Sequence, residues 1–275
     1  MRGQSRTSLA EARERLDPVL STGGGASAAD TAALGGELFS VVGLLDSSSA
    51  LRRALTDPSR GGDDKAALAQ RLLRGQVGDL ALDVVAGVVR ARWSADRDLA
   101  DGLEQLGTQA LLASAERDGE LDRVEDEVFR LSRIVAGDRA LAAAFGDRAA
   151  GTATRSDLVD RLLGAKVHPV TLALVRQAVT APRGRPVEAA LAQVLDEAAA
   201  RRQRLVAVVT AAVPLTDKQI DRLARALGRV YGRPVLVEVA IDPEVVGGVR
   251  VTVGDEVLDS TVAARLEEAR RRLAG

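Results

Sequence analysis

The sequence predicts an α+β multidomain protein: two tandem all-α helical bundles followed by a small α+β domain of order β-α-β-β-β-α. Three observations carry that expectation. The composition changes near residue 200, from Ala, Leu, Arg and Asp with helical apolar spacing to β-branched residues alternating with polar ones. The helical region repeats itself at a spacing of 90 residues. Aromatic residues make up 2% of the chain against 46% hydrophobic, so the core consists of Leu, Val and Ala, a set suited to close-packed helices. The expected borders are 1–117 for the first bundle, 118–203 for its duplicate and 204–275 for the α+β domain.

Along the first region, Ser8 with Glu11 reads as a capping box opening a helix to about Leu20. Gly23-Gly24-Gly25 breaks the chain, and a helix follows over about Ala28 to Leu45. Shorter helices are expected at Ala50–Leu55, Lys65–Arg74 and Leu80–Arg92. A longer one begins after Ser94, with Leu99, Leu103, Leu106 and Leu111 on a drifting stripe.

A shift of 90 places Phe39 on Phe129, Leu51 on Leu141, Arg71-Leu72-Leu73 on Arg161-Leu162-Leu163, and Val85 on Val175. Roughly sixteen of about fifty-five positions from Glu37 to Ala91 are identical, where composition alone gives about a third of that. Loop residues keep register too, Asp57 on Asp147 and Gly61 on Gly151. Leu9, Ala10 and Leu16 fall on Leu99, Ala100 and Leu106, so the long helix is expected to close the first copy and open the second.

In the last region Leu205–Thr210 reads as a buried strand. Thr216 with Gln219 caps a helix expected to bury Ile220, Leu223, Leu227 and Val230 on one face. Val235, Val237, Val239 and Ile241 alternate as the next strand, and Val249, Val251 and Val253 as another. Gly254-Asp255 reads as a two-residue hairpin turn into Glu256–Leu258, and Asp259 or Ser260 as the cap of a terminal helix.

The search for chemistry points away from catalysis. There is no cysteine, which removes thiolate nucleophiles, disulfides and Cys-ligated metals together. Gly23-Gly24-Gly25 lacks the Gly-Lys-Ser/Thr and the preceding strand of a phosphate loop. His168, the single histidine, precedes Pro169 and reads as a helix-start residue, with no second ligand to share a metal. Asp122, Glu125, Asp126 and Glu127, interleaved with Arg123 and Arg130, read as a solvated helix face. A formal net charge of −1 and basic clusters without aromatics (Arg201, Arg202 and Arg204; Arg270 to Arg272) argue against nucleic acid. No catalytic residue, cofactor site or metal site is expected. Nor is a leader segment, and the apolar runs Leu80–Val89 and Leu205–Leu215 are too short to span a bilayer, so membrane association is expected only through partner subunits.

Several C-terminal runs carry a resemblance. They are Val208-Val209-Thr210-Ala211-Ala212-Val213-Pro214-Leu215-Thr216, Ile241-Asp242-Pro243-Glu244-Val245-Val246-Gly247-Gly248-Val249-Arg250-Val251, and Gly254-Asp255-Glu256-Val257-Leu258-Asp259-Ser260. They are similar to the signatures of the ATP synthase delta subunit (oligomycin-sensitivity-conferring protein) family. Thr252 departs from the pattern at an outward strand position. Ala50 to Pro58, with Lys65 and Arg71-Leu72-Leu73, resembles the family's helical bundle, and the chain looks like a long form in which that bundle is duplicated. Asp242, Pro243, Gly247, Gly248, Gly254 and Asp255 are the structural signature. Gly247-Gly248 also suits a bulge or a positive-φ bend.

The resemblance implies a non-catalytic peripheral-stalk subunit of the proton-translocating ATP synthase, on the cytoplasmic side of the cell membrane. Its bundle would receive the N-terminal helix of the alpha subunit, and its C-terminal domain the C-terminal region of the b subunit. The family groove, between the first and fifth helices of a bundle, falls on Leu9, Ala12, Leu16, Val84, Val85 and Val88, with Leu174 and Val175 in the second copy. Either copy, or both, could take the helix, and ordinary core packing is the competing account of each residue. An unrelated helical adaptor or assembly scaffold fits the same build. So does a small-molecule enzyme, given a concave site with converging polar groups.

Overall fold

The computed structural model describes residues 3–21, 25–147, 149–202, 205–231, 235–243, 245, 248–253 and 256–259. The chain is mostly helical with one small sheet. It divides into two compact units: Met1–Leu20 with Ala26–Ala199, and Ser21–Gly25 with Ala200–Gly275.

In the helical unit the elements are α1 (Gln4–Leu20), α2 (Ala28–Ser47), α3 (Ser49–Thr56), α4 (Gly62–Leu73), α5 (Asp79–Arg90) and α6 (Asp96–Arg117). They continue with α7 (Leu121–Gly137), α8 (Arg139–Gly146), α9 (Thr152–Leu163), α10 (Pro169–Thr180) and α11 (Val187–Arg202). The bounds of α8, α9 and α10 are those of α3, α4 and α5 moved by 90 residues, and α7 ends 90 residues after α2. Caps follow the same spacing. The Ser48 side chain accepts the Leu51 N–H ahead of α3, and Asp138 accepts those of Ala140 and Leu141 ahead of α8. Asp57 closes a turn onto the Ser59 N–H at 2.9 Å, and Asp147 onto that of Ala149 at 2.9 Å.

Two hydrophobic clusters fill this unit, and α6 belongs to both. Leu99, Leu103, Leu106, Ala110 and Ala113 join the first, with residues of α1, α2 and α5; Leu111, Leu112 and Ala115 join the second, with residues of α7, α10 and α11. A helix apolar on one stripe covers one core, whereas α6 is buried nearly all round. It runs against α2 at a separation only glycine permits. A Cβ on Gly35 would lie 2.6 Å from Leu111 Cγ, and one on Gly107 would lie 2.8 Å from the Phe39 ring. Among the described residues α2 is also the one helix long and apolar enough to cross a membrane, with mean hydropathy 1.3. Its Leu34, Leu38, Val41, Val42 and Leu45 are instead buried in the first core.

Ser8 is not a cap. The helix begins a turn earlier, at Gln4, and Ser8 is buried within it, its hydroxyl donating to the Arg92 carbonyl at 2.7 Å. Ser5, a turn before, donates to Asp98 Oδ2 at 2.6 Å and accepts the Ser94 N–H at 2.7 Å. The small polar residues of α1 therefore fasten it to the α5–α6 connection, a long-range use that the Ser-x-x-Glu spacing does not distinguish from a local one.

The second unit comprises β1 (Leu205–Ala211), α12 (Asp217–Tyr231), β2 (Val235–Ile241), β3 (Val249–Val253) and β4 (Glu256–Asp259). The sheet order is β2-β1-β3-β4. β1 runs parallel to β2, with Leu205 opposite Val235, and antiparallel to β3, with Val209 opposite Val251. A parallel pair needs a crossover, and α12 supplies it. Ala207, Val209, Val235, Val237, Val251 and Val253 form the core with Leu227 of α12. Thr216 and Gln219 meet as expected, the Thr216 N–H donating to Gln219 Oε1 at 2.8 Å.

Val230 is 72% exposed, not buried. At ~100° per residue Tyr231 lies nearer the stripe of Ile220 and Leu227 than Val230 does, and Tyr231 packs on the core instead. Ile241 is likewise exposed, at the last rung of the edge strand, where a neighbour stands on one side only. The Gly254-Asp255 turn and the terminal helix after Asp259 lie outside the described residues.

Candidate functional site

α1 and α5 lie side by side in the first cluster. Leu9, Ala12, Leu16, Val85 and Val88 are buried there, and Val84 is half-buried at its edge. Leu174 and Val175, on α10, are buried in the second cluster. An open cleft of about 700 Å³ borders α1 on a side that α5 does not line, between Leu9, Arg6, Arg13 and Asp17 of α1, Asp101 and Gln105 of α6, Arg185 of the α10–α11 loop and Gln193 of α11. The seam between α6 and α10 is different, because α11 lies over it. Thr108, Leu174 and Ala178 face Ala190 and Val194 there.

Both fifth helices are held at their ends by side chains from elsewhere. At the N-terminus of α5, Gly78 has no side chain to cap with, and Glu37 of α2 accepts its N–H at 3.1 Å. At the same place on α10, Glu127 of α7 accepts the His168 N–H at 2.8 Å and the Thr171 hydroxyl at 2.6 Å. At the C-terminus of α5, buried Lys65 of α4 donates from Nζ to the Ala91 carbonyl at 2.8 Å. At that of α10, buried Arg155 of α9 donates to the Val179 carbonyl at 2.6 Å and the Thr180 carbonyl at 3.3 Å. Helix ends leave four N–H and four C=O groups unpaired, partially positive and negative respectively, so a carboxylate and a cation at these ends match in charge as well as in hydrogen bonding.

Burial raises the Glu127 carboxyl pKa, but the bonds from Thr171, the His168 backbone and Arg123 outweigh it and hold it below the ordinary glutamate range. Burial, with the Arg92 charge adding to it, pushes the Lys65 ammonium below its ordinary value, while Asp57 opposes.

The acidic face of α7 is therefore only partly the solvated surface its sequence suggests. Arg123 pairs with Glu127 at 2.9 Å and Arg130 with Asp126 at 2.7 Å, as i,i+4 spacing predicts. Glu127 also turns inward to α10. The repeat held the signal: Glu37 maps on Glu127, and Lys65 on Arg155. His168 is a helix start, its Nδ1 accepting the Val170 N–H at 3.2 Å.

A charged cluster fastens the second half of the helical unit to the first. Arg183, in the α10–α11 loop at φ 42°, pairs with Asp101 of α6 at 2.9 Å and Asp46 of α2 at 3.1 Å, and also with Glu104 of α6. Glu104 in turn accepts from Arg185 and from Gln177 Nε2, the latter at 3.1 Å. Burial works against the Arg183 charge, but Glu104, Asp46 and Asp101 outweigh it and raise its pKa. Arg13 of α1 reaches Glu197 of α11 at 2.5 Å, and Gln109 reaches the same carboxylate at 2.9 Å. Sequence reading missed this cluster, since its members are spread over about 150 residues with no shared spacing.

In the second unit, the Asp242 N–H donates to the Ala211 carbonyl at 2.9 Å and the Asp242 carbonyl accepts from Val245 at 3.1 Å, forming the turn around Pro243. Gly248 has φ +78°, the left-handed conformation that favours glycine. Gly247, Gly254 and Asp255 lie outside the described residues.

The chain resembles known proteins over its full length. It is 56% identical over 275 residues to the ATP synthase subunit delta of Beutenbergia cavernae, covering the whole of both chains. It is 50% identical, again over the whole of both, to that of Streptomyces griseus subsp. griseus. A solved chain in the cryo-EM structure of the Toxoplasma gondii mitochondrial ATP synthase hexamer matches 61% of this chain and 95% of its own, at 20% identity and TM-score 0.28, too loose a superposition to bear on assignment. The family model described as ATP synthase delta (OSCP) subunit matches residues 108–273. With more than half the chain matched and full-length relatives at 50% identity or above, the chain belongs to the ATP synthase delta (OSCP) subunit family.

Proposed function

We propose that this chain is a non-catalytic stator subunit of the membrane-bound, proton-translocating ATP synthase, placed peripherally on the cytoplasmic side. It joins the catalytic head to the b-subunit stalk, so that rotor torque drives ATP synthesis rather than turning the head. The observation that carries this reading is full-length similarity to subunits named for that complex. The work asked of such a subunit is tight association and stiffness, and the doubly buried α6 with the Arg183 cluster supplies stiffness.

The finer reading has two tandem bundles, 1–117 and 118–203, followed by the stalk-binding domain, 204–275. Helix bounds recurring at 90 residues and the sharing of α6 between two cores support it. The alpha-subunit N-terminal helix docks in helix-in-groove fashion, its apolar face against the bundle. The first bundle is the better host, because α11 lies over the α6–α10 seam while α5 keeps half-buried Val84 at the edge of its seam with α1. The C-terminal region of the b subunit docks on the α+β domain.

Deleting the chain tests the reading. Washed membranes should lose their ATP-hydrolysing head, and restoring the protein should return it. Heads that stay on membranes lacking the chain rule out the stator role. Crosslinking to the alpha-subunit N-terminus from Val84→Cys, compared with Ala173→Cys, locates the host bundle.

A further inference from the structure

We propose that Glu37 with Lys65, and at the equivalent places Glu127 with Arg155, are positioning residues that clamp α5 and α10 at both ends and so set the shape of the surface a partner helix meets. This rests on the docking reading above and adds to it the residues that prepare the host helix.

The argument starts from length. α5 and α10 each have twelve residues, at or below what is stable for an isolated helix. Local side-chain caps are sparse: α5 has none at Gly78, α10 has the His168 ring on the Val170 N–H, and both helices are followed by an alanine, Ala91 and Ala181. The ends are instead satisfied from α2 and α4 in the first copy, and from α7 and α9 in the second. The N-terminal contact recurs at a spacing of 90 residues in both partners. At the C-terminal ends the donors Lys65 and Arg155 keep that spacing while the accepting carbonyl moves from Ala91 to Val179 and Thr180, so the cation survives the change from Lys to Arg.

Two anchors at opposite ends restrain what one cannot, namely sliding along the helix axis. Each residue of slip is ~1.5 Å, and it would carry Val84, Val85 and Val88 out of register with Leu9, Ala12 and Leu16 of α1. A cap serving only stability would suffice at either end. A matched pair on the fifth helix of each copy also fixes position.

The test uses the full chain and a synthetic peptide of the alpha-subunit N-terminal helix, with binding measured by calorimetry well below each variant's unfolding midpoint. The variants are Glu37→Gln/Lys65→Met and Glu127→Gln/Arg155→Met, with Lys65→Arg and Arg155→Lys as conservative controls. Amide hydrogen exchange across residues 79–90 and 169–180 is followed in parallel. The first double variant should weaken binding about tenfold, the equivalent of one charged hydrogen bond, and speed exchange over 79–90 at unchanged overall helicity. Lys65→Arg should stay within about threefold of wild type.

Loss of affinity in the second double variant alone also supports the clamp, and moves the docking site to the second bundle. Folded variants that both bind like wild type overturn the clamp's role in docking. A wild-type chain that does not bind the peptide overturns the docking reading and that role together. The exchange data then decide the clamp itself, which unchanged exchange in both helices overturns.

Discussion

The first helical copy and the second share every helix boundary from α3 to α5 and from α8 to α10, yet differ in what covers them. In the first, α2 meets α6 at Gly35 and Gly107, and Phe39 is half-buried against that crossing. In the second, the matching Phe129 on α7 is 53% exposed. α11, the sequence counterpart of α6, buries Val187, Ala190, Leu191, Val194 and Ala198, whereas α6 turns Leu99, Leu103, Leu106 and Ala110 to the first core. Moved by 90, those four become Ala189, Gln193, Asp196 and Ala200, too polar to rebuild the same seam. The repeat thus keeps the contacts that end helices and fix loops, which depend on backbone groups any sequence supplies. It does not keep the contacts between faces, which depend on side-chain volume.

Four tests, using six substitutions, break or sharpen that comparison. The largest effect is expected at the joint between copies. Arg183→Met leaves Asp46 and Asp101 without their shared cation and Glu104 with Arg185 as its remaining cation, and should cost about 3 kcal/mol in urea unfolding. A loss below about 1 kcal/mol means the copies are not joined there. Next, Phe39→Ala should cost about 2–3 kcal/mol and Phe129→Ala at most about 0.5, although the residues are sequence equivalents. Equal losses would show that something covers α7 in solution.

Third, Arg155→Met should destabilise by about 2 kcal/mol and Lys65→Met by about 1, because the arginine serves two carbonyls and the lysine one, and burial already penalises the lysine charge. Thermal unfolding of the two variants side by side would reveal the order, and a reversed order breaks the account. The smallest effect is at Glu127. Its pKa is lower folded than unfolded, so its stabilisation is fully present above the ordinary value of 4.5 and is lost as pH falls through the folded value. Glu127→Gln should therefore cost about 1 kcal/mol at neutral pH and converge with wild type in acid. Parallel unfolding curves at every pH contradict that assignment.

Much of this was legible in the chain itself. The β-branched alternation around Val209 and Val237 placed the strands, and the 90-residue repeat reappears in the matching bounds of α8, α9 and α10 with α3, α4 and α5. The readings that failed did so where one local pattern serves two geometries. Ser8 with Glu11 has the spacing of a cap, but also that of two residues on one helical face, and burial against Arg92 selected the second. Val230 and Tyr231 are adjacent at the edge of an apolar stripe, and the packing of α12 chose the ring. Of the site residues, Leu9, Ala12, Leu16, Val84, Val85 and Val88 were legible as an apolar set on two helices, but their periodicity is the same for core as for groove.

The sequence by itself determined the family, the 90-residue repeat and the presence of each helix before residue 120, because these rest on residue identity and on spacing along one chain. Tertiary structure alone decided that α6 serves two cores, that Arg183 draws on carboxylates from α2 and α6, and that Glu37, Lys65, Glu127 and Arg155 hold the fifth helices at both ends. Each of these depends on which distant backbone or charged group arrives within hydrogen-bond reach, and no periodicity in the chain encodes that distance.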